Sequence, residues 1–176
     1  MEVFEINPHI RYAAKKLGGF KVRRNVSICY DARVFYFKNI NGSITVNGEK
    51  YNVSNKTGIY LPPLCRYVFN LKYSEDSIAY VMNFDLVTEY SRFKDSFGTA
   101  TVSDFEPERT PRYELPADFS HPIVKQMHKL SSLLDNCVEV FEKGELFHRE
   151  RSSAILKLVL LELIDTMPLL YPFIML

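Results

Sequence analysis

Four histidines (His9, His121, His128 and His148) and three cysteines (Cys29, Cys65 and Cys137) are the side chains best suited to hold a metal or attack a substrate. A metal centre needs such groups, or carboxylates, at convergent spacing. The chain has no H-x-H and no C-x-x-C, and no histidine falls in its central strand-forming region. Neither metal nor cofactor is expected. Cys65 follows Pro62 and Pro63, but nucleophilic catalysis needs a base beside the thiol, and no strand histidine is available as partner. A buried or pocket-lining thiol is expected instead. Glu75 and Asp76 sit in a turn-like stretch, Asp85 ends a strand, and Gly18-Gly19 stands alone without a phosphate-loop pattern. No catalytic residue is predicted, and the chain reads as a non-enzyme.

A different set could bind rather than react. Phe35, Tyr36, Tyr60, Tyr67, Phe69 and Tyr80 lie on predicted strands, together with Arg33, Arg66 and Asn83. Small molecules are held in apolar concavities with a few polar groups, and aromatic faces suit sugar rings or flat acids. The competing reading is that these rings form an ordinary core.

The elements that must position this set come in two blocks. Residues 10–112 carry strand signals. The segment "RVFYFK" at 33–38 is rich in aromatics, and "SITV" at 43–46 alternates with period two. Asn47-Gly48 is a strong hairpin signal, so residues 43–46 should pair with 49–53. "IYL" should stop at Pro62, which cannot donate to a ladder. "RYVFNLKY" and "SIAYVMNFDL" read as two strands joined by a turn at "SED". A short strand is expected near residues 99–102. Frequent turns between short strands suggest an antiparallel barrel or sandwich.

From Ser120 the period changes. Ser120 could cap a helix with Pro122 in its first turn. Ile123, Met127, Leu130, Leu134, Cys137 and Phe141 then form one apolar seam. Gly144 would end that helix. A second helix should run from about 145 to 167 and stop before Pro168. Lys157, Glu162, Asp165, Pro168 and Pro172 interrupt the apolar end of the chain, which argues against a membrane span of roughly 20 apolar residues. A helix apolar on most sides needs cover, so a homodimer through the helices is expected, with Met127, Leu130, Leu134, Cys137 and Phe141 at the interface. The alternative is that both helices fold back on their own sheet.

Bulk properties agree with a packed domain. The chain has 176 residues, 47% of them hydrophobic, and a net charge of +1, so nothing marks a nucleic-acid surface. The basic cluster at Lys15, Lys16, Lys21, Arg23 and Arg24 reads as a solvated face. Glu2 and Glu5 break any secretory signal, and three widely separated cysteines fit reduced thiols, so a cytoplasmic location is expected.

The order of these features resembles the N-terminal effector-binding cupin domain of AraC-type transcriptional regulators. The resemblance runs through "RVFYFKNINGSITVNGEKYNVSNKTGIYLPPLCRYVFN" and "IAYVMNF", with Thr57-Gly58 at a turn, Pro62-Pro63 after a short strand, and Phe84 at a strand end. The helical half resembles that family's linker helices, which carry dimerisation. It implies a mainly β plus α fold: an antiparallel, cupin-like jelly-roll barrel with an N-terminal arm over 1–112, then a linker and two antiparallel helices over 113–176.

The resemblance also implies a small-molecule effector, a sugar or another metabolite, held in the barrel near the arm at residues 8–12. By position it implies Arg24, Tyr67, Phe69, Val81 and Asn83 as effector-binding residues. Tyr67 stands where a histidine is frequent in the family, which removes a metal ligand. The family's helix-turn-helix pair would follow the second helix, so the sequence is read as a regulatory region lacking its DNA reader. A stand-alone cupin enzyme or sugar-binding protein is the rival reading, and a pairing module filled by its own aromatics is a third.

Overall fold

The computed structural model describes residues 5–18, 25–90 and 98–165. Eight strands form one antiparallel sheet: β1 His9–Leu17, β2 Ser27–Cys29, β3 Ala32–Val46, β4 Glu49–Val53, β5 Thr57–Leu61, β6 Arg66–Asp85, β7 Thr99–Thr101 and β8 Ile123–Gln126. Two helices follow, α1 Ser131–Lys143 and α2 His148–Ile164. The sheet is open, with no pairing among the described strands that closes it into a barrel.

Two long strands organise everything else. β3 and β6 pair along nearly their whole lengths, Ala32 with Phe84 at one end and Val46 with Tyr67 at the other. The first half of β3 pairs with β5 and its second half with β4. The second half of β6 pairs with β1 and its start with β2. Each long strand therefore runs through two half-sheets.

The bend between the halves is an irregularity in pairing. Lys38 lies opposite Ile78 but Ile40 opposite Tyr73, so residues 74–77 of β6 face Asn39 alone. Asn39 takes a left-handed backbone (φ 55°), and its carbonyl accepts from the Ser77 hydroxyl at 2.7 Å. A bulge of this kind shifts side-chain parity. Before it, Phe35 and Phe37 face the inner core; after it, Ile40, Ile44 and Val46 do. The "SED" stretch is thus a bulge inside one strand, not a turn between two. Its turn-forming residues leave the ladder locally, but the strand continues because both halves find β3.

The hairpin at Asn47-Gly48 forms as expected, with Val46 paired to Glu49 and positive φ at both loop residues (50° and 93°). Thr57 and Gly58 are strand residues of β5, not a turn. Gly58 is needed for close approach: a Cβ there would stand 2.8 Å from Met127 Cγ and 3.2 Å from Leu163 Cδ2.

The helical half differs more from expectation. Residues 123–126 are a strand, and α1 begins only at Ser131. The β-branched pair Ile123-Val124 meets the edge of β5, which offers an unpaired ladder: Tyr60 pairs with Ile123 and Thr57 with Gln126. Ser120 instead closes a short 3-10 turn at Ala117–Phe119. Gly144 ends α1 in a left-handed conformation (φ 64°), as anticipated.

Two cores result. One lies between the half-sheets and holds Cys29, Phe35, Phe37, Ile44, Leu61, Tyr67, Phe69 and Val81. The other lies between the outer face of β1, β3, β5 and β6 and the two helices. Met127, Leu130, Leu134 and Cys137 are buried in that second core, with Phe141 packed against it. The seam expected between two copies of the chain is therefore covered within one chain. The helices fold back on their own sheet.

Candidate functional site

The inner core is aromatic at its centre and ionic at one end. Phe69 makes edge-on contacts with Phe35, Phe37 and Tyr67, at centroid distances of 5.1, 5.6 and 5.4 Å. Such pairs favour edge-to-face geometry and fix one another's rotamers. Beyond Tyr67 the apolar surroundings give way to two ion pairs. Arg33 Nη2 donates to Asp31 Oδ1 at 3.0 Å, and Arg11 Nε donates to Asp85 Oδ2 at 2.7 Å. Side-chain exposure does not exceed 8% in either pair.

Local structure explains how these charges come together. The β1–β6 register slips between Ile10 and Tyr12, which makes Arg11 the bulged residue. Ile10 faces the helices and gives its N–H to Ser153 Oγ at 3.0 Å. Arg11 instead reaches Asp85. Asp31 precedes β3 and accepts from Gly98 N–H at 3.4 Å. Asn83 pairs in register with Arg33 and Tyr12 and is buried on the inner side of β6.

The electrostatics are those of a desolvated cluster. Burial pushes the Asp85 carboxyl up to about 6, against the hydrogen bond and charge of Arg11, which lower it. Burial pushes the Tyr67 phenol up to about 12, although Arg33, which also hydrogen-bonds it, opposes the rise. The Cys65 thiol rises to about 11 through burial, and the Cys29 thiol rises further. Thiols so raised are poor nucleophiles. What the cluster offers is two guanidiniums, two carboxylates, a phenol and an amide, which suits noncovalent recognition of a polar molecule.

Of the residues expected to bind an effector, Tyr67, Phe69, Val81 and Asn83 all lie on the inner side of β6. Arg24 lies outside the described residues. Arg66 is exposed on the other face. Tyr67 and Phe69 are only 9% and 6% exposed and are held by neighbouring rings. Three tyrosines expected to line a cavity face the helical side instead. Tyr36 donates to the Met127 carbonyl at 2.9 Å, Tyr60 to the Phe119 carbonyl at 3.0 Å, and Tyr80 to Asp135 Oδ1 at 2.7 Å. All three are even-numbered, on strand stretches whose odd-numbered residues face the inner core, and their hydroxyls pin the linker and α1 to the sheet.

The residues at 8–12 read as an arm belong largely to β1. Arg11 falls within the arm expected near the effector but was not singled out, and Asp31 and Asp85 were not anticipated as site residues. Asp85 was visible only as a strand end, and no local pattern links it to Arg11, 74 positions away. Among the described residues no group of three or more His, Cys, Asp or Glu is placed to hold a metal ion. No described helix is long and apolar enough to cross a membrane.

No family model and no curated protein sequence matches the chain. Solved structures with some likeness include those of ToxT from Vibrio cholerae. The unsaturated fatty acid-bound protein of strain SCE256 shares 12% identity over 87% of this chain and 50% of that one, with a TM-score of 0.40. ToxT of strain O395 shares 10% over 92% of this chain and 56% of that one, at 0.45. Its complex with (E)-4-(8-methylnaphthalen-1-yl)but-3-enoic acid shares 12% over 88% and 54%, at 0.43. The chain spans about half the length of the ToxT chains it matches. Likeness at this level assigns neither family nor ligand.

Proposed function

We propose that the chain is the effector-sensing region of an AraC-type transcription regulator, with the sheet folded as an open, cupin-like half-barrel. The effector is a small polar metabolite, a sugar or a small organic acid. The observation that carries this reading is the ionic end of the inner core. Two ion pairs buried beside an aromatic cluster stabilise a fold poorly, because desolvation offsets their attraction. Perturbed, desolvated charges gather preferentially where a ligand is recognised. Arg33, Tyr67 and Asn83 are the contacts proposed, and Arg11 and Asp85 set their charge balance. Val81 and Phe69 supply the apolar wall. DNA contact would come only through a further C-terminal domain, the two-helix region would mediate homodimerisation, and the setting would be cytoplasmic.

A thermal-shift panel of sugars and small carboxylic acids tests this. A hit whose shift disappears in Arg33→Met and Asn83→Leu supports the reading. A panel without a saturable shift, or a hit indifferent to both changes, removes it.

The packing of Phe35, Phe37, Tyr67 and Phe69 favours a second reading: a pairing module whose interior is filled by its own side chains. It predicts that no small molecule binds the inner core at all.

A further inference from the structure

We propose that Cys29 and Cys65 form a reversible disulfide pair, oxidised by a peroxide, that ties β2 to the start of β6. Both are free thiols in the structure. Register sets them face to face. Ser27 pairs with Tyr67 and Ile28 with Arg66, so the next rung brings Cys29 opposite Cys65. The backbone completes that rung, because Cys29 gives its N–H to the Cys65 carbonyl at 3.1 Å.

The proline turn creates this alignment. Cys65 gives its N–H to the Pro62 carbonyl at 3.4 Å, and Leu64 gives its N–H to the Cys29 carbonyl at 2.8 Å from a left-handed backbone (φ 69°). Positive φ at the third residue of a four-residue turn is the type II geometry, and a left-handed residue just before the rung is a G1 bulge. Leucine stands where glycine is usual. The bulge takes up the extra residue at Leu64, so Cys65 re-enters the ladder directly across from Cys29.

Both side chains belong to the inner core, at 0% and 3% exposure. Cys137 lies in the other core, where its thiol meets the Ser152 carbonyl at 3.3 Å, so it does not compete. Side chains directly opposite on antiparallel strands have Cβ atoms about 4.5–5.5 Å apart, and a disulfide needs about 3.5–4.5 Å. A small approach closes the bond, and the resulting strain keeps it reducible. β2 is three residues long, meets β6 at two rungs and carries β7 on its other edge. A covalent rung therefore reinforces the end of the sheet that has the shortest pairing.

Cys65 reacts first. It lies under the β3–β4 hairpin tip, where the Asn47 amide donates to its sulfur at 3.7 Å, and burial raises its thiol less than that of Cys29. The Cys65 sulfur attacks one peroxide oxygen, the O–O bond breaks, and a sulfenic acid and one water result. The Cys29 sulfur then attacks the Cys65 sulfur and displaces its hydroxyl as a second water, so the two thiol protons leave in the two waters. Arg33, which hydrogen-bonds Cys29, supports the second thiolate. Burial makes both steps slow, so the pair answers sustained oxidation rather than a brief pulse.

The full chain is treated with millimolar hydrogen peroxide, and in parallel is refolded from urea in a glutathione redox buffer, so that slow entry of oxidant cannot hide the bond. Alkylation under denaturing conditions followed by peptide mapping should show Cys29 linked to Cys65 within one chain and Cys137 alkylated. Dithiothreitol should restore both thiols. The oxidised chain should melt roughly 5 °C or more above the reduced one, and amide exchange at 27–29 and 99–101 should slow at least threefold. Cys29→Ala should abolish the link and both shifts, whereas Cys137→Ser should keep them. No link by either route overturns the proposal. So does oxidation that stops at a sulfenic or sulfinic acid on Cys65, or a bond made through Cys137 or only between chains. A link that leaves melting and exchange unchanged, or lowers the melting point, overturns the tying role.

Discussion

Arg11 of β1 and Asp85 of β6 meet at 2.7 Å between paired strands, and neither side chain is exposed to solvent. Removing one partner strands the other's charge. Arg11→Met is expected to cost about 3–5 kcal/mol, whereas Arg11→Met with Asp85→Leu recovers most of that. Urea titrations of the three proteins measure both effects. A single-variant loss below about 1 kcal/mol would mean that the pair is hydrated in solution.

The same carboxyl sets a pH dependence. Its folded value of about 6 lies above the ordinary 3.8, so the folded state holds the proton more tightly than the unfolded chain. Its stabilising contribution is complete below about pH 4 and is lost as pH rises through 6, on the order of 3 kcal/mol in all. The stability of the native protein minus that of Asp85→Asn should therefore fall between pH 4 and 6, then level off. A rise over that interval would show that the attraction of Arg11 outweighs burial.

Phe69 separates a packed interior from an open one. Packed against three rings, it should cost about 3–5 kcal/mol on truncation to Ala. Arg66→Ala, on the exposed face, should stay within about 0.5 kcal/mol. A small loss for Phe69→Ala, read from the denaturation midpoint, would indicate room in the inner core that a ligand could fill.

Gly42 has no space for a side chain. A Cβ would stand 2.9 Å from Leu71 Cα and closer still to the Asn70 carbonyl oxygen, both of them backbone atoms. Its φ of 148° compounds the strain. Gly42→Ala should lose more than about 3 kcal/mol or fail to fold, whereas Gly48→Ala, with open space around it, should lose about 1 kcal/mol through backbone strain alone. Soluble yield and melting temperature distinguish the two.

With the inward seam already covered, self-association would use the outer side of α2, where Leu158 and Leu161 are 51% and 36% exposed. Leu158→Glu should shift a dimer to monomer in sedimentation without lowering the melting temperature. Leu134→Glu should unfold the chain instead, since that side chain is fully buried.

The sequence made local features readable and hid non-local ones. Asn47-Gly48, Gly144 and the end of β5 at Pro62 follow from backbone preferences of the residues themselves, and all three appear as read. The face of Tyr67 and Phe69 follows from period two. The helical start at Ser120 failed because the 4-3 spacing of Ile123, Met127 and Leu130 also fits a short strand and a turn against one core. Only the free edge of β5, far back in the chain, decides between them. The "SED" stretch signalled a break correctly, but whether a break becomes a turn or a bulge depends on what pairs beyond it. The ionic cluster was invisible for the same reason: Arg11, Asp31 and Asp85 converge through register, and register is a property of the sheet.

Phe35 and Tyr36 are neighbours on β3, yet one belongs to the inner aromatic core and the other to the core under the helices. The Tyr36 hydroxyl holds the Met127 carbonyl, four residues before α1 begins. The strand is therefore a partition one residue thick. An occupant of the inner side that displaced Phe35 would act one peptide bond away from the residue that holds the root of α1.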